Sequence, residues 1–250
     1  MNLRIRTTSL SSDTFDLANP NWDALSSGGI IANSLSRQTR FNGHANAKGN
    51  DSYSVAQHAV LVTTLAYRLG VRDKEILKAC LHHDDVESVT GDIVTPLSAL
   101  IPELKKFIAD LEFGYKSHRG LVGIEDAEKI VKKCDKLMYA HEVNTFFCSP
   151  FSIKSDVTEL NLIRLNKALE NSDLYQSYVE HSHLMDPIMT WNVEIARDAY
   201  LMLEDWLYGP QSKETDLVIN PLTICSQCNS AAVSVRLATR SGMRKYMSEI

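Results

Sequence analysis

The chain has too few cysteines, too unevenly spaced, for a disulfide framework: five in 250 residues, at positions 80, 134, 148, 225 and 228. It has no apolar run long enough to cross a bilayer, and its first residues, Met1-Asn-Leu-Arg-Ile-Arg6, lack a secretory apolar region. A reducing cytoplasm is therefore the expected location, with no membrane partner. Positive charge is not in excess either. Twenty-six Lys and Arg stand against 31 Asp and Glu, a net charge of −5 with a pI of about 5.9. That argues against a stable nucleic-acid partner held on a broad basic surface. No G-x-x-x-x-G-K-[ST] run is present, which speaks against P-loop ATPase chemistry. Internal repeats are not evident and strand signals are few. What remains is the composition of an ordinary globular protein, 44% hydrophobic and 23% charged.

One stretch stands out: Cys80-Leu-His-His-Asp-Asp-Val-Glu-Ser-Val-Thr-Gly-Asp92. An apolar helical run delivers two histidines and three acids in immediate succession. Ionised groups beside a core are costly unless they are paired or bound to a metal. His83 and Asp84 thus read as half of a metal site.

Helical patterning supplies the other half. Ser54-Val-Ala-Gln57 is a capping-box pattern for a helix from Val55 that Gly70 ends, with His58 near its start. Asp73 caps a second helix through Ile76, Leu77, Cys80 and Leu81. This helix is expected to run on to Thr90-Gly91, with His83 and Glu87 on one side. Pro102 to Ser117 reads as a helix, followed by a glycine-containing loop. From Glu125 or Asp126 a strong helix carries Asp135 in mid-run, and Ser149-Pro150 breaks it. Further helices are expected at about 157–170, 173–183 and 191–208. A short one is expected from Ile30 to Arg37. Residues 1–25 read as a polar wrap that forms no core element, and 45–52 as a polar loop on the rim of a site.

His58, His83, Asp84 and Asp135 come from three helices that a bundle can bring to one point. Two neutral imidazoles and two carboxylates suit one divalent ion, with Mn, Co, Zn, Fe and Ni not distinguished. Each residue also has a bland reading, as a hydrogen-bonded core histidine or an edge acid. His82, Asp85, His118 and His141 offer no second complete shell, although a second ion is left open.

Together His58, His83-Asp84 and Asp135 resemble the H…HD…D signature of the HD-domain metal-dependent phosphohydrolase superfamily. Ser54-Val-Ala-Gln-His58, His83-Asp-Asp-Val-Glu87 and Thr90-Gly-Asp-Ile-Val-Thr-Pro96 are similar to its bacterial and phage 5′-deoxynucleotidase branch, as is Arg40-Phe-Asn-Gly-His44 before the first histidine. The likeness covers about residues 13–145. It implies an all-α HD-domain bundle over 1–210, with an irregular N-terminal wrap and a C-terminal extension over 211–250. It also implies a homo-oligomer, expected to be a dimer.

By that resemblance the four ligands hold a catalytic ion and Glu87 orients water or exchanges a proton. Arg40 binds phosphate, Asp92 lines the sugar side, and Phe41 stands where bacterial deoxynucleotidases often carry Trp. Gln57 replaces a common Glu, which is expected to alter hydrogen bonding behind the metal. The implied activity is hydrolysis of a deoxynucleoside monophosphate to phosphate and nucleoside. Alternatives are a triphosphohydrolase acting on deoxynucleoside triphosphates, with His44, Lys48 and Lys116 adding positive charge, and a noncatalytic nucleotide-sensing module.

After Gly209-Pro210 the pattern weakens. Cys225-x-x-Cys228 supplies too few ligands for a structural zinc site. Arg236, Arg240 and Arg244 are spaced to line one face of a terminal helix.

Overall fold

In a computed structural model the described residues are 4–6, 14–27, 29–45, 52–148, 159–209, 215–224 and 231–239. Lys48, Ser149-Pro150, Val157, Cys225, Cys228, Arg240 and Arg244 lie outside them. Strand β1 (Arg4–Arg6) pairs antiparallel with β2 (Thr14–Asp16), and α1 (Trp22–Ser26) and α2 (Ile30–Leu35) follow. A tight turn at Arg40–Gly43 leads to α3 (Val55–Arg68), α4 (Lys74–Leu81) and α5 (Glu87–Thr90). Then come α6 (Thr95–Leu100), α7 (Pro102–His118) and α8 (Ala127–Val143), the last running into a wider π-turn at Asn144–Cys148. Helices α9 (Glu159–Leu169), α10 (Ser172–His181) and α11 (Val193–Tyr208) complete an all-helical bundle.

The bundle is built around α3, which packs against α4, α8 and α11. Val55, Ala56, Ala59, Val60, Val62, Leu65 and Ala66 are all buried, so this helix is apolar on nearly every side, as a central helix must be. Thr63 and Thr64 fit there because each hydroxyl donates to the carbonyl one turn back, Ala59 O and Val60 O, at 2.8 Å. Both expected caps are present. Ser54 Oγ accepts from Gln57 N–H at 3.2 Å and Asp73 Oδ1 from Glu75 N–H at 2.8 Å.

Three expectations are corrected. Residues 1–25 do contribute to the core: Phe15 and Leu25 are buried, and Trp22 stacks between Phe15 (5.3 Å) and Tyr115 (5.7 Å). The helix expected from Asp73 to Thr90 is interrupted between Leu81 and Glu87. His83 Nδ1 donates to Cys80 O at 2.8 Å, filling the acceptor that the helix would otherwise offer to Asp84 N–H. The chain then tightens into i→i−3 bonds, with Glu87 N–H on Asp84 O (2.9 Å) and Ser88 N–H on Asp85 O (3.0 Å). Finally, Arg236 lies not on a helix but on β4 (Ala231–Thr239), which pairs antiparallel with β3 (Thr215–Ile224) and sets Arg236 opposite Val218. The alternation Val233-Ser-Val-Arg-Leu237 has the period of a strand, a signal that outweighs three arginines at helical spacing.

Candidate metal centre

His58 lies one turn into α3, where the Ser54 cap has set the helix. Its Nδ1 is 2.5 Å from Glu142 Oε1, at zero exposure for both side chains. A buried carboxylate beside the arginine Arg40 is an acceptor, so Nδ1 carries the proton and Nε2 keeps a lone pair. His83 is set the same way. A carbonyl can only accept, so the bond to Cys80 O puts the proton on Nδ1 and leaves Nε2 basic. Both Nε2 atoms are buried and neither makes a hydrogen bond.

These two lone pairs converge with carboxylates. His58, His83 and Asp84 each present one ligand atom within 4.8 Å of the others. Asp84 Oδ2 lies 3.7 Å from His58 Nε2 and 3.2 Å from His83 Nε2. Asp135 Oδ1, from α8, lies 3.2 Å and 3.9 Å from the same two nitrogens. Buried nitrogens without a hydrogen-bond partner, aimed at two carboxylates, are the donor set of a hard-to-borderline divalent ion. The charges also fit, because two carboxylates and two neutral imidazoles balance one such ion. The residues present therefore fit a metal.

Electrostatics of the protein alone tell the same story. Burial works against the charge on Asp84, yet His83, His58 and Arg40 hold its pKa well below the ordinary carboxylate value. Asp135 is likewise lowered by His58 and His83 against its burial. Burial presses His83 down, but Asp84 and Asp135 outweigh it and raise its pKa to about 9. Without an ion, a proton on His83 supplies positive charge to the two carboxylates, and a cation bound there would take that proton's place.

Arg40 stands beside the cluster, its Nη1 3.3 Å from Asp84 Oδ2 and its Nη2 3.5 Å from Glu142 Oε2. Its Nε–H is buried without a hydrogen-bond partner. The backbone holds it there: Arg40 N–H donates to Tyr53 O (2.9 Å) and Val55 N–H to Gln38 O (3.0 Å). Phe41 and Asn42 follow in the left-handed region, φ 56° and 50°, which turns Phe41 N–H onto Asp92 Oδ2 at 3.1 Å. Gly91, at φ 81°, supplies the matching reversal before Asp92.

Glu87 faces a cleft of about 290 Å³ lined by His83, Asp84, Glu87, Ser98, Lys105 and Glu112 among others. Burial, then Asp84 and Asp92, push its pKa up to about 9, so it is protonated at neutral pH. None of the expected substrate contacts Arg40, Phe41, His44, Asp92 and Lys116 is among the residues lining this cleft. Lys116 pairs with Glu112 on its own helix at 3.5 Å, and His44 is exposed in the turn after Gly43.

Glu142 and Tyr53 were not anticipated. Tyr53 O–H donates to Glu142 Oε1 at 2.6 Å, so one carboxylate serves a tyrosine, His58 and Arg40 together. The available signal was spacing: Glu142 falls seven residues after Asp135, on the same face of α8. Gln57 does not reach the metal cluster. Its Nε2 donates to Met189 O (2.7 Å) and its Oε1 accepts from Trp191 N–H (3.0 Å), tying α3 to the segment before α11.

Three further histidines contact groups outside the cluster. His82 Nδ1 meets Asp85 Oδ2 at 2.7 Å, and Tyr115 and Tyr200 donate to the same carboxylate at 2.6 and 2.5 Å. His141 meets Tyr178 and Asp186 O, and His118 lies 3.5 Å from Asp23.

A buried His/His/Asp cluster within an all-helical bundle is what a metal-binding module of the HD kind presents. No family model matches the chain. An uncharacterized protein of Rhodobacter capsulatus is 41% identical over 73 residues, which are 28% of this chain and 36% of that protein. The chain thus matches little more than a third of the length of this curated relative. Among the described residues no helix is long and apolar enough to cross a membrane.

Proposed function

We propose that the chain is a metal-dependent phosphohydrolase of the HD kind, acting as a 5′-deoxynucleotidase on deoxynucleoside monophosphates. The observation that carries this reading is the meeting of two free Nε2 lone pairs and two carboxylates beside a buried arginine. His58, His83, Asp84 and Asp135 hold the ion. Bound there, a divalent ion supplies Lewis acidity toward a phosphate oxygen and an acidified water.

The chain's own groups do the rest. Arg40 donates to the phosphate and offsets charge that builds there during transfer. Glu87, facing the cleft beside Asp84, passes a proton to the leaving sugar oxygen, directly or through water. Asp92 has one carboxylate oxygen engaged by Phe41 N–H and the other left to accept from a sugar hydroxyl. The same reading takes residues 1–210 as the catalytic domain, 211–250 as an appendage and the working form as a dimer.

The test is phosphate release from deoxynucleoside monophosphates with Mn, Co, Zn, Fe or Ni added singly. Triphosphates and ribonucleotides run alongside, with phosphate and triphosphate detected separately. Metal-dependent phosphate release, lost in Asp135→Asn, is expected. Release of triphosphate instead, or no turnover with any metal, overturns the assignment.

A further inference from the structure

Exposure across the metal cluster is graded. The side chain of His58 is sealed, those of His83 and Asp84 are 7% and 21% exposed, and that of Asp135 is 41% exposed. The cluster therefore opens at Asp135. One turn further along the same face of α8 stands Tyr139, which is 39% exposed. Phe41, the neighbour of Arg40, lies 6.3 Å from the Tyr139 ring and 5.2 Å from that of Phe147, which is 45% exposed. Three rings from three elements thus stand together in partial contact with solvent, at the open edge of the cluster. The Arg40 guanidinium lies 5.7 Å from the Phe41 ring centre, so the phosphate-binding cation and the aromatic group are contiguous.

Aromatic rings grouped together at the surface beside a polar cleft, unlike single exposed ones, mark a binding site. Charge selects the occupant: the group borders a cation and two carboxylates, so what lies on it is joined to something anionic or metal-binding. A flat π-system carrying a phosphate satisfies both demands, because every nucleobase has a face that stacks on aromatic rings.

We propose that Phe41, Tyr139 and Phe147 form the base subsite, on which the nucleobase stacks while its 5′-phosphate reaches Arg40. This rests on the phosphohydrolase reading for the phosphate end and adds the base end. The geometry offers stacking faces, without a fixed pattern of donors and acceptors for a base edge. The subsite therefore favours any base over none and separates one base from another only weakly.

The test compares deoxyadenosine 5′-monophosphate with 2-deoxyribose 5-phosphate, which keeps the sugar and phosphate and lacks the base. Both are followed by hydrolysis and, independently, by calorimetric binding to the full-length protein. The variants are Tyr139→Ala, Phe147→Ala and Tyr139→Phe. The wild type is expected to prefer the nucleotide. Each alanine variant is expected to reduce that preference by roughly tenfold or more, the worth of one base–aromatic stack, mainly through KM. Tyr139→Phe is expected to retain it, since the ring remains. Equal losses on both ligands reveal a structural role and overturn the subsite, as does an unchanged preference. If both ligands are hydrolysed with no preference, the hydrolase stands and the subsite falls. Base-dependent, Tyr139-dependent binding without hydrolysis preserves the subsite and removes the hydrolase. If neither ligand binds, both readings fall.

Discussion

Glu142 and His58 meet at 2.5 Å between two side chains that solvent does not reach. That contact fixes the tautomer on which the metal centre depends, because an imidazole that gives its Nδ1 proton to a carboxylate offers Nε2 to a cation. Glu142 also balances Arg40 and accepts a hydrogen bond from the Tyr53 hydroxyl. One buried carboxylate therefore positions the proposed metal ligand on one side and the proposed phosphate-binding group on the other.

Replacing this carboxylate separates its two duties. Glu142→Gln keeps an oxygen for His58 and Tyr53 but removes the charge facing Arg40. Glu142→Ala removes both and leaves Arg40 without its buried counter-ion, at a cost of about 3–5 kcal/mol in stability. Metal affinity is expected to fall by roughly 10–100-fold in the alanine variant, as for other partners behind a ligand, and by less in the glutamine variant. Calorimetric metal titration and thermal melts check this. Equal metal affinity in Glu142→Ala and wild type contradicts the assigned role.

Protons and the ion compete for the same four groups. In the metal-free protein Asp84 and Asp135 raise the pKa of His83 from the ordinary 6.5 to about 9, against the effect of burial. A raised value stabilises the fold fully below pH 6.5 and loses that contribution as pH climbs through 9. Metal-free protein is therefore expected to melt at lower temperature as pH rises from 6.5 to 9. Over the same interval apparent metal affinity is expected to rise, since fewer protons must be displaced. Asp84→Asn and Asp135→Asn are each expected to abolish most metal binding. Metal titrations across this pH range, with melts before and after chelation, measure both trends. A flat affinity profile counts against the site.

In sequence Gln57 stands where relatives carry a glutamate, which predicts altered hydrogen bonding behind the metal. The structure assigns it a clamp between Met189 O and Trp191 N–H, which takes one donor and one acceptor. Glutamate supplies no donor and adds a buried charge. Gln57→Glu is expected to cost about 1–3 kcal/mol through the unsatisfied carbonyl and desolvation, with metal affinity of the folded protein unaltered. Denaturant unfolding beside a metal titration distinguishes the two roles, and a changed metal affinity at equal stability restores the earlier one.

Local chemistry made much of this readable from the chain. Ser54 and Asp73 were recognisable as caps because a short polar side chain before an apolar run satisfies the same amide donors wherever it occurs. His58, His83, Asp84 and Asp135 stood out because charge in an apolar stripe requires a partner. What escaped depends on distance along the chain or on competition between bonds. Spacing puts Glu142 on the face of α8 that carries Asp135, but nothing near it in sequence reveals that His58 of α3 and Tyr53 just before that helix will lie against it. The break after Leu81 follows from a side chain taking a backbone acceptor, which periodicity does not register. Phe15 and Leu25 looked peripheral because their neighbours are polar, and only the contacts of Trp22 with Phe15 and Tyr115 show why that segment is anchored. The strand at Ala231–Thr239 carried its period-two pattern openly, masked by arginines spaced as if on a helix.

The catalytic role proposed for Glu87 comes with a stability signature that runs opposite to it. Burial, Asp84 and Asp92 raise its pKa from the ordinary 4.5 to about 9 in the protein without metal. The folded state therefore holds a proton that the unfolded chain releases near pH 4.5, and stability drains away as pH rises from there toward 9. Glutamine keeps the shape and carries no such proton. Glu87→Gln is expected to flatten this part of the pH–stability profile of metal-free protein. At pH 8 it should raise stability by about 1 kcal/mol or more, which is ~2–4 °C per kcal/mol for a chain of this size. The same change removes the proton donor, so turnover of the metal-loaded protein is expected to drop by roughly 10²–10⁴-fold with metal still bound. Melts against pH, beside phosphate release by the same preparations, give both numbers. A variant that is slower and also less stable at pH 8 shows Glu87 to be charged in the fold, and the proton it was assigned to deliver is then not there.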